Sequence, residues 1–364
     1  VLVCGASFAG LAVARELAGS GMRVLILDRY ELGERQTSAC AMPTLWLEAM
    51  DLMSSLRQTF DELVVHTRSR TSRWRLPWSF STFDYREICA LLFEQADAAE
   101  TEFETATVTK RDGFTVHTDR GSLTAPLIVD ALGWRRVLSN ATAIQPPNAR
   151  LSRGLEVHPA GTGEELEVWI DHRYVRSGYA WSFPAREEMR IGAGSFWPAH
   201  HVKEPTVRLA GELGLPPDGY QGNWIPHQLR AAVEDGVFFA GDSAGHCLPL
   251  TAEGIRTALY FGLACARQLR AVHAGQITRE QALTRYGAFS DRHARKYEWL
   301  LRVQRAVGQL TPTPIPRLLS QSMESRRFAD WSFDHYLAIA PPSFVEASPR
   351  TASQSPPVAV PAAI

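Results

Sequence analysis

Apolar and polar positions change period along the chain, and the changes mark its elements. Val1–Cys4 is an unbroken apolar run of the kind a buried parallel strand shows. From Phe8 to Ser20 the apolar residues Leu11, Ala14, Leu17 and Ala18 return on one helical face, and Gly19-Ser20-Gly21 ends the helix. Arg23–Asp28 is again strand-like, so the first 28 residues predict a βαβ unit. Gly33–Thr44 reads as a loop of small and polar residues. Leu45–Leu63 predicts mainly helix, Val64–Asp84 β-hairpins dense in Arg and Trp, and Tyr85–Ala98 another helix. Glu102–Val108, Phe114–Thr118 and Ser122–Val129 predict a β-meander that returns to Asp130.

From about Ser152 to Ile225 strands and turns alternate: Gly154–His158, Leu166–Asp171, Ser177–Phe183 and Arg190–Phe196. This pattern suits an antiparallel sheet roofing a pocket. Val237–Ala240 is a late apolar strand that returns to the first domain, followed by a helix over about Gly254–Val272. Gln281–Gln309 is helical in pattern too. From Pro341 the composition turns to Pro, Ala and Ser, which predicts a mobile or extended tail. No internal repeat is visible.

Length and charge narrow the function. With 364 residues, 45% of them hydrophobic, the chain suits two interleaved domains. A net charge of −1 gives no basic excess for nucleic acid, and membrane contact is expected to be peripheral at most. Only Lys110, Lys203 and Lys296 are lysine among 38 basic residues, which reads as the composition bias of a GC-rich bacterial genome. Five cysteines without a CxxC spacing argue against a disulfide framework or a metal site, and fit a reducing cytoplasm. No apolar run approaches membrane-spanning length, and no signal peptide is visible. The chain starts directly on its first strand, so a few natural residues are expected to precede it.

The candidate chemistry lies in two motifs more than 200 residues apart. Gly5-x-Ser7-x-x-Gly10 joins the first strand to its helix. Gly5 permits the tight turn, Ser7 keeps close approach, and Gly10 lets the helix pack on the strand. The helix N-terminus, with Phe8 and Ala9, then faces a pyrophosphate. Asp28 ends the next strand at the spacing of a carboxylate that binds adenosine ribose hydroxyls, with Arg29 beside it. Far downstream, Gly236–Ala240 leads into Gly241-Asp242, and Pro249–Ile255 follows. An aspartate there accepts hydrogen bonds from ribityl hydroxyls. The turn through Ala252, Gly254 and Ile255 brings backbone N–H groups to the flavin pyrimidine edge, where they stabilise the anionic reduced ring. Together the motifs embrace one long dinucleotide, FAD. Val108, near a strand end, is added to the same cofactor set.

With these motifs the chain resembles the glutathione-reductase-type FAD fold shared by group A aromatic hydroxylases, flavin halogenases, lycopene cyclases and geranylgeranyl reductases. The resemblance spans roughly residues 1–310. Within that group Tyr179-x-Trp181-x-Phe183-Pro184, seven residues, then Gly192-x-Gly194, is similar to the geranylgeranyl reductase pattern Y-x-W-x-F-P-x(7–8)-G-x-G. Alternation puts Tyr179, Trp181 and Phe183 on one strand face, as an apolar substrate wall or as an aromatic core. Halogenases carry W-x-W-x-I-P and an early essential lysine. Here no lysine precedes Lys110, which disfavours halogenation. Aromatic hydroxylases carry Asp-Gly where this chain has Asp130-Ala131-Leu132-Gly133.

The resemblance implies an α/β fold: an FAD-binding Rossmann-like domain with an inserted antiparallel β-sheet substrate domain and C-terminal helices. Expected boundaries are 1–150 and 229–275 for the FAD domain, 151–228 for the substrate sheet, 276–340 for C-terminal helices and 341–364 for the tail. It implies an FAD-dependent oxidoreductase that reduces a carbon–carbon double bond of a small apolar substrate, with isoprenoids as a candidate class. The alternatives are a monooxygenase of secondary metabolism acting through a flavin C4a-hydroperoxide, and a non-catalytic flavoprotein. No second nucleotide fingerprint is present, so the reductant is expected to be NAD(P)H bound transiently or a reduced electron-carrier protein. In flavoproteins of this layout an arginine at the position of Arg86 commonly reaches the pyrophosphate; the other reading is a solvated arginine at a helix start. Archaeal geranylgeranyl reductases place a cysteine beside the flavin near the position of Cys40, here followed by Ala41. Cys40 is thus either a proton donor or a small buried packing residue. His246 is a loop histidine that could approach the ring.

Overall fold

The short apolar runs become the middle of a parallel sheet. The computed structural model describes residues 1–96, 98–140, 151–309 and 321–347. Leu2–Cys4 (β1), Phe8–Leu17 (α1) and Val24–Asp28 (β2) form the expected βαβ unit. Ala41–Pro43 (β3) and Thr44–Ala49 (α2) precede a long hairpin, Leu56–Thr67 (β4) and Arg70–Phe83 (β5), then the helix Tyr85–Glu94 (α3). Thr101–Thr105 (β6), Val108–Asp112 (β7), Thr115–Thr118 (β8), Gly121–Thr124 (β9) and Ile128–Asp130 (β10) follow. The next stretch holds Leu151–Val157 (β11), Leu166–Ile170 (β12), Gly178–Ala185 (β13), Glu188–Ser195 (β14), Lys203–Glu212 (α4) and Gln221–Pro226 (β15). Val233–Glu234 (β16) and Val237–Phe239 (β17) lead to the helices Ile255–His273 (α5), Arg279–Asp291 (α6), Ala294–Gln309 (α7), Arg326–Leu337 (α8) and Ser343–Glu346 (α9).

The first sheet has the order β16-β17-β10-β1-β2-β6. All its pairs are parallel except the edge pair β16–β17. Strands β1, β10 and β17 are buried throughout, which is why they read as continuous apolar runs. Every residue of α1 is buried, because α1 lies between this sheet and α5. The helices cross closely: a Cβ on Gly262 of α5 would meet the Ala9 carbonyl oxygen at 2.6 Å and Ala12 Cβ at 3.0 Å.

The second sheet has the order β15-β11-β14-β13-β12-β4-β5-β3, antiparallel except for the β12–β4 pair. It draws three strands from residues 41–83, so it is not confined to the stretch 151–228. Strands β7, β8 and β9 form a small separate sheet.

Four expectations need correction. The helix expected to Leu63 stops at Ala49, and β4 begins at Leu56. Register shifts between Leu56 and Gln58 and between Phe60 and Glu62 break the period-two pattern and hide this strand from the sequence. The expected meander is shorter, because β6 pairs with β2 in the parallel sheet. Helix α4 interrupts the expected run of strands and packs on β14 and β11. The long helix expected to Gln309 is divided at Arg292–His293 into α6 and α7. The tail beyond residue 347 lies outside the described residues.

Candidate active site

Both sheets border one cleft of about 1900 Å3. An ordinary small-molecule pocket spans roughly 300–1,000 Å3, so this one has room for a dinucleotide and a substrate together.

At the floor β1 turns into α1. Gly5 has φ 113°, and a Cβ there would meet the Ala131 carbonyl oxygen at 2.2 Å. One on Gly10 would meet the Gly5 carbonyl oxygen at 1.8 Å, so only glycine permits the turn. No side chain caps α1 at Ser7, so its first amides are available to an anion. Ser7, Phe8 and Ala9 line the cleft. Asp28 lines it as well; its carboxylate accepts from the Ala6 N–H at 2.8 Å and the Tyr30 N–H at 3.1 Å. Arg29, Arg35 and Val108 also line this end. Arg86 does not: it is exposed and outside the lining, with its backbone packed against Gly33. Tyr85 faces inward instead, its hydroxyl 3.2 Å from Ser7 Oγ.

On the opposite side β17 runs into Gly241, whose φ is 64° and where a Cβ would lie 2.9 Å from Ala9 Cβ. The neighbouring Asp242 carboxylate lines the cleft and has no hydrogen-bond partner among the described residues. Burial raises its carboxyl to about 6, against a smaller opposing pull from Arg230. Ala252, Gly254 and Ile255 line the cleft next to it. Their loop holds Leu250 at φ 70° and Ala252 at φ 52°, left-handed conformations that need outside support. Glu253 and Arg256 supply it. The buried Arg256 grips both oxygens of Glu253 at 2.8 and 2.7 Å and donates to the carbonyls of Leu337 and Ala340. Tyr336 Oη donates to Glu253 at 2.6 Å, tying the loop to α8. A cradle that a Cβ would fill and a carboxylate without a partner fit the FAD that the motifs imply.

The roof explains the aromatic motif. Tyr179, Trp181 and Phe183 alternate on β13, are half-buried and line the cleft. Tyr179 lies opposite Gly194 and Trp181 opposite Gly192, and these glycines lie opposite Gly154 and Glu156 on β11. A Cβ on Gly192 would meet Trp181 Cζ2 at 2.3 Å, and one on Gly194 would meet Cζ3 at 3.4 Å. The glycine strand is therefore a shelf across which the indole lies, and Trp181 Nε1 donates to Glu156 Oε2 at 3.2 Å on the strand beyond. Tyr179 Oη donates to the carbonyl of Thr251, joining roof to loop.

Cys40 lines the cleft wall with φ 48° and is fully buried. Burial pushes its thiol well above the usual range, so it keeps its proton. Arg190 Nη1 donates to the carbonyls of Ala39, Phe83 and Cys40 at 2.8, 2.9 and 3.1 Å and fixes this loop. His246 is not in the lining; it is buried, stacked on Phe261 at 3.7 Å and within 3.1 Å of Ser290 Oγ. Burial lowers its basicity strongly, so it packs uncharged. Asp130 is a buried staple that accepts from the Leu132 and Leu138 amides and the Ser243 hydroxyl. Sequence reasoning missed Glu156, His158, Arg190, Glu253 and Arg256. The spacing of Glu156 and His158, two residues apart at the end of a strand, is the one signal that marks any of them.

No family model matches the chain. Digeranylgeranylglycerophospholipid reductase 3 of Methanosphaera stadtmanae is 22% identical over 331 residues, which cover 81% of this chain and 83% of the relative. A geranylgeranyl bacteriochlorophyll reductase-like structure from Thermoplasma acidophilum matches with a TM-score of 0.78 at 16% identity, over 95% of this chain and 97% of the other. A probable FAD-dependent monooxygenase from Pseudomonas aeruginosa matches with a TM-score of 0.61 at 19% identity, over 92% and 98%. At these identities the structures establish a shared fold. Fold, site and relatives agree on the class, an FAD-dependent oxidoreductase. Within it the chain is similar to the geranylgeranyl reductases, with monooxygenases among its relatives. No helix among the described residues is long and apolar enough to cross a membrane.

Proposed function

We propose that the protein uses FAD to reduce a carbon–carbon double bond in a small apolar substrate of isoprenoid character. The supporting observation is the continuity of one cleft, from the glycine cradle and Asp242 to a wall of Tyr179, Trp181, Phe183, Trp74 and Trp78. Bound there, FAD in its reduced form supplies a hydride equivalent. Amides of α1 with Arg29 and Arg35 hold the pyrophosphate, Asp28 the ribose, and Asp242 the ribityl hydroxyls. The aromatic wall excludes water and lays the double bond flat. Cys40, held protonated in the wall, gives the proton that completes reduction. The reductant is NAD(P)H bound in passing or a reduced carrier protein. The names of two relatives, both geranylgeranyl-type reductases, support this reading.

The test is product mass after turnover under 18O2. Reduction adds two hydrogens and no 18O. Incorporation of 18O would overturn the reading in favour of a monooxygenase.

A further inference from the structure

The roof carries a line of titratable groups to which the reading above gives no task. Glu156 lies near the end of β11, opposite Gly192, one of the glycines that shelve Trp181, and His158 follows just beyond the strand. Glu156 lines the cleft wall yet is only 2% exposed. Its Oε2 accepts from Trp181 Nε1. Its Oε1 lies 2.9 Å from His158 Nε2 but off the hydrogen-bond axis, so both atoms are buried without a hydrogen bond. His158 Nδ1 stands 3.4 Å from Glu188 Oε1. The Glu188 side chain is 41% exposed and is held by Arg190 Nε at 2.8 Å. The three side chains thus stand in a row, from solvent at Glu188, past His158, to Glu156 at the cleft.

Stability alone gives little reason for such a line. A buried ion pair loses as much in desolvation as it gains in attraction, and an apolar pair of the same size packs as well. We propose that Glu188, His158 and Glu156 form a proton relay that reloads the cleft from solvent, an inference that rests on the reductase reading. Each reduced double bond consumes one proton. A turn of the His158 ring brings Nε2–H into line with Glu156 Oε1, 2.9 Å away, and the proton passes between them. Glu156 delivers it to the Cys40 thiolate that remains once the thiol has protonated the carbon that does not receive the hydride equivalent. The ring, left neutral with its remaining proton on Nδ1, regains one on Nε2 when it turns that nitrogen towards Glu188, which takes the proton from water. No electrons move along the line, and the net change is one proton transferred from water to the cleft.

The surroundings keep the His158 ring charged at rest. Glu156 faces the ring from β11, Glu188 and Arg190 from β14, and the neutral Gln221 from β15. Burial works to lower the basicity of His158, but the two carboxylates outweigh it and raise the ring to about 9.

The experiment joins an NMR titration of the His158 ring in the FAD-loaded protein to the kinetics of Glu156→Gln and His158→Gln. The wild-type ring is expected to titrate near pH 9, and in Glu156→Gln to fall towards the ordinary histidine value. Oxidation of the reduced protein by alkene is expected to slow about a hundredfold in either variant, the low end of losing a general acid. Reduction of the protein by dithionite should keep its rate. An unmoved His158 midpoint in Glu156→Gln overturns the relay. So does wild-type alkene turnover in that variant, or a raised KM with kcat unchanged, which marks a binding role. A wild-type protein that reduces no alkene overturns the reductase reading, and the relay loses its acceptor. That failure shows without any variant and is distinguishable from the others.

Discussion

Gly192 shows how much a missing side chain determines. With its Cβ position 2.3 Å from Trp181 Cζ2, Gly192→Ala must push the indole off its shelf. Overpacking of this kind costs about 1–3 kcal/mol. Thermal unfolding should fall by several degrees and the near-UV circular dichroism should change. Gly211→Ala is the control, since its Cβ would meet nothing within 4 Å and its helix should gain slightly. An unchanged melting temperature in Gly192→Ala contradicts the shelf. The glycine pair was legible as a motif. Its purpose was not, because the strand register that brings Trp181 across it is set by pairing between β13 and β14.

Asp242 carries a pH prediction. Its carboxyl is raised to about 6 by burial, so the unliganded protein holds that proton more tightly than the unfolded chain does. That contribution to stability is largest at low pH and is lost as pH rises through about 6. Ligand hydroxyls that donate to the carboxylate favour its charged form. FAD binding should therefore tighten as pH rises from 5 to 7, by up to about tenfold per pH unit below 6. Fluorescence titration checks this. Asp242→Asn should bind more weakly and lose the slope, and a flat wild-type profile contradicts the assignment.

Among the elements, the loop bearing Cys40 shows a limit of sequence reading. Its position was legible from its distance to Gly5. Its support was not, because Arg190 lies 150 residues away and grips three carbonyls of the 39–40 and 83 backbone. If Cys40 donates the proton, Cys40→Ala should fold, bind FAD and accept electrons normally. Alkene reduction should drop by roughly 10²–10⁴. Near-normal turnover per folded molecule would show that the thiol only packs. Strand β4 escaped the sequence for a related reason: its bulges interrupt the alternation on which strand recognition rests. The βαβ unit was legible because a glycine turn, a helix and an acidic strand end are local in the chain.

At the scale of the molecule, two sheets close over one cleft, and each is assembled from distant stretches. The parallel sheet takes β1, β2 and β6 from the first third of the chain and β17 from beyond residue 236. The roof takes β3 to β5 from residues 41–83 and its other strands from 151–226. The α/β class and the return of the late Gly-Asp strand were legible, since each motif carries its own local geometry. The shared roof and the line from Glu188 to Glu156 were not, since both depend on which strands become neighbours. This architecture is common to reductases and monooxygenases, so oxygen reactivity is the property that separates them. The decisive measurement is the oxidation of the anaerobically reduced protein, followed by flavin absorbance in a stopped-flow instrument. Fast oxidation by an isoprenoid alkene with slow oxidation by air is the result predicted for a double-bond reductase. Fast oxidation by air, with every alkene inert, would contradict it.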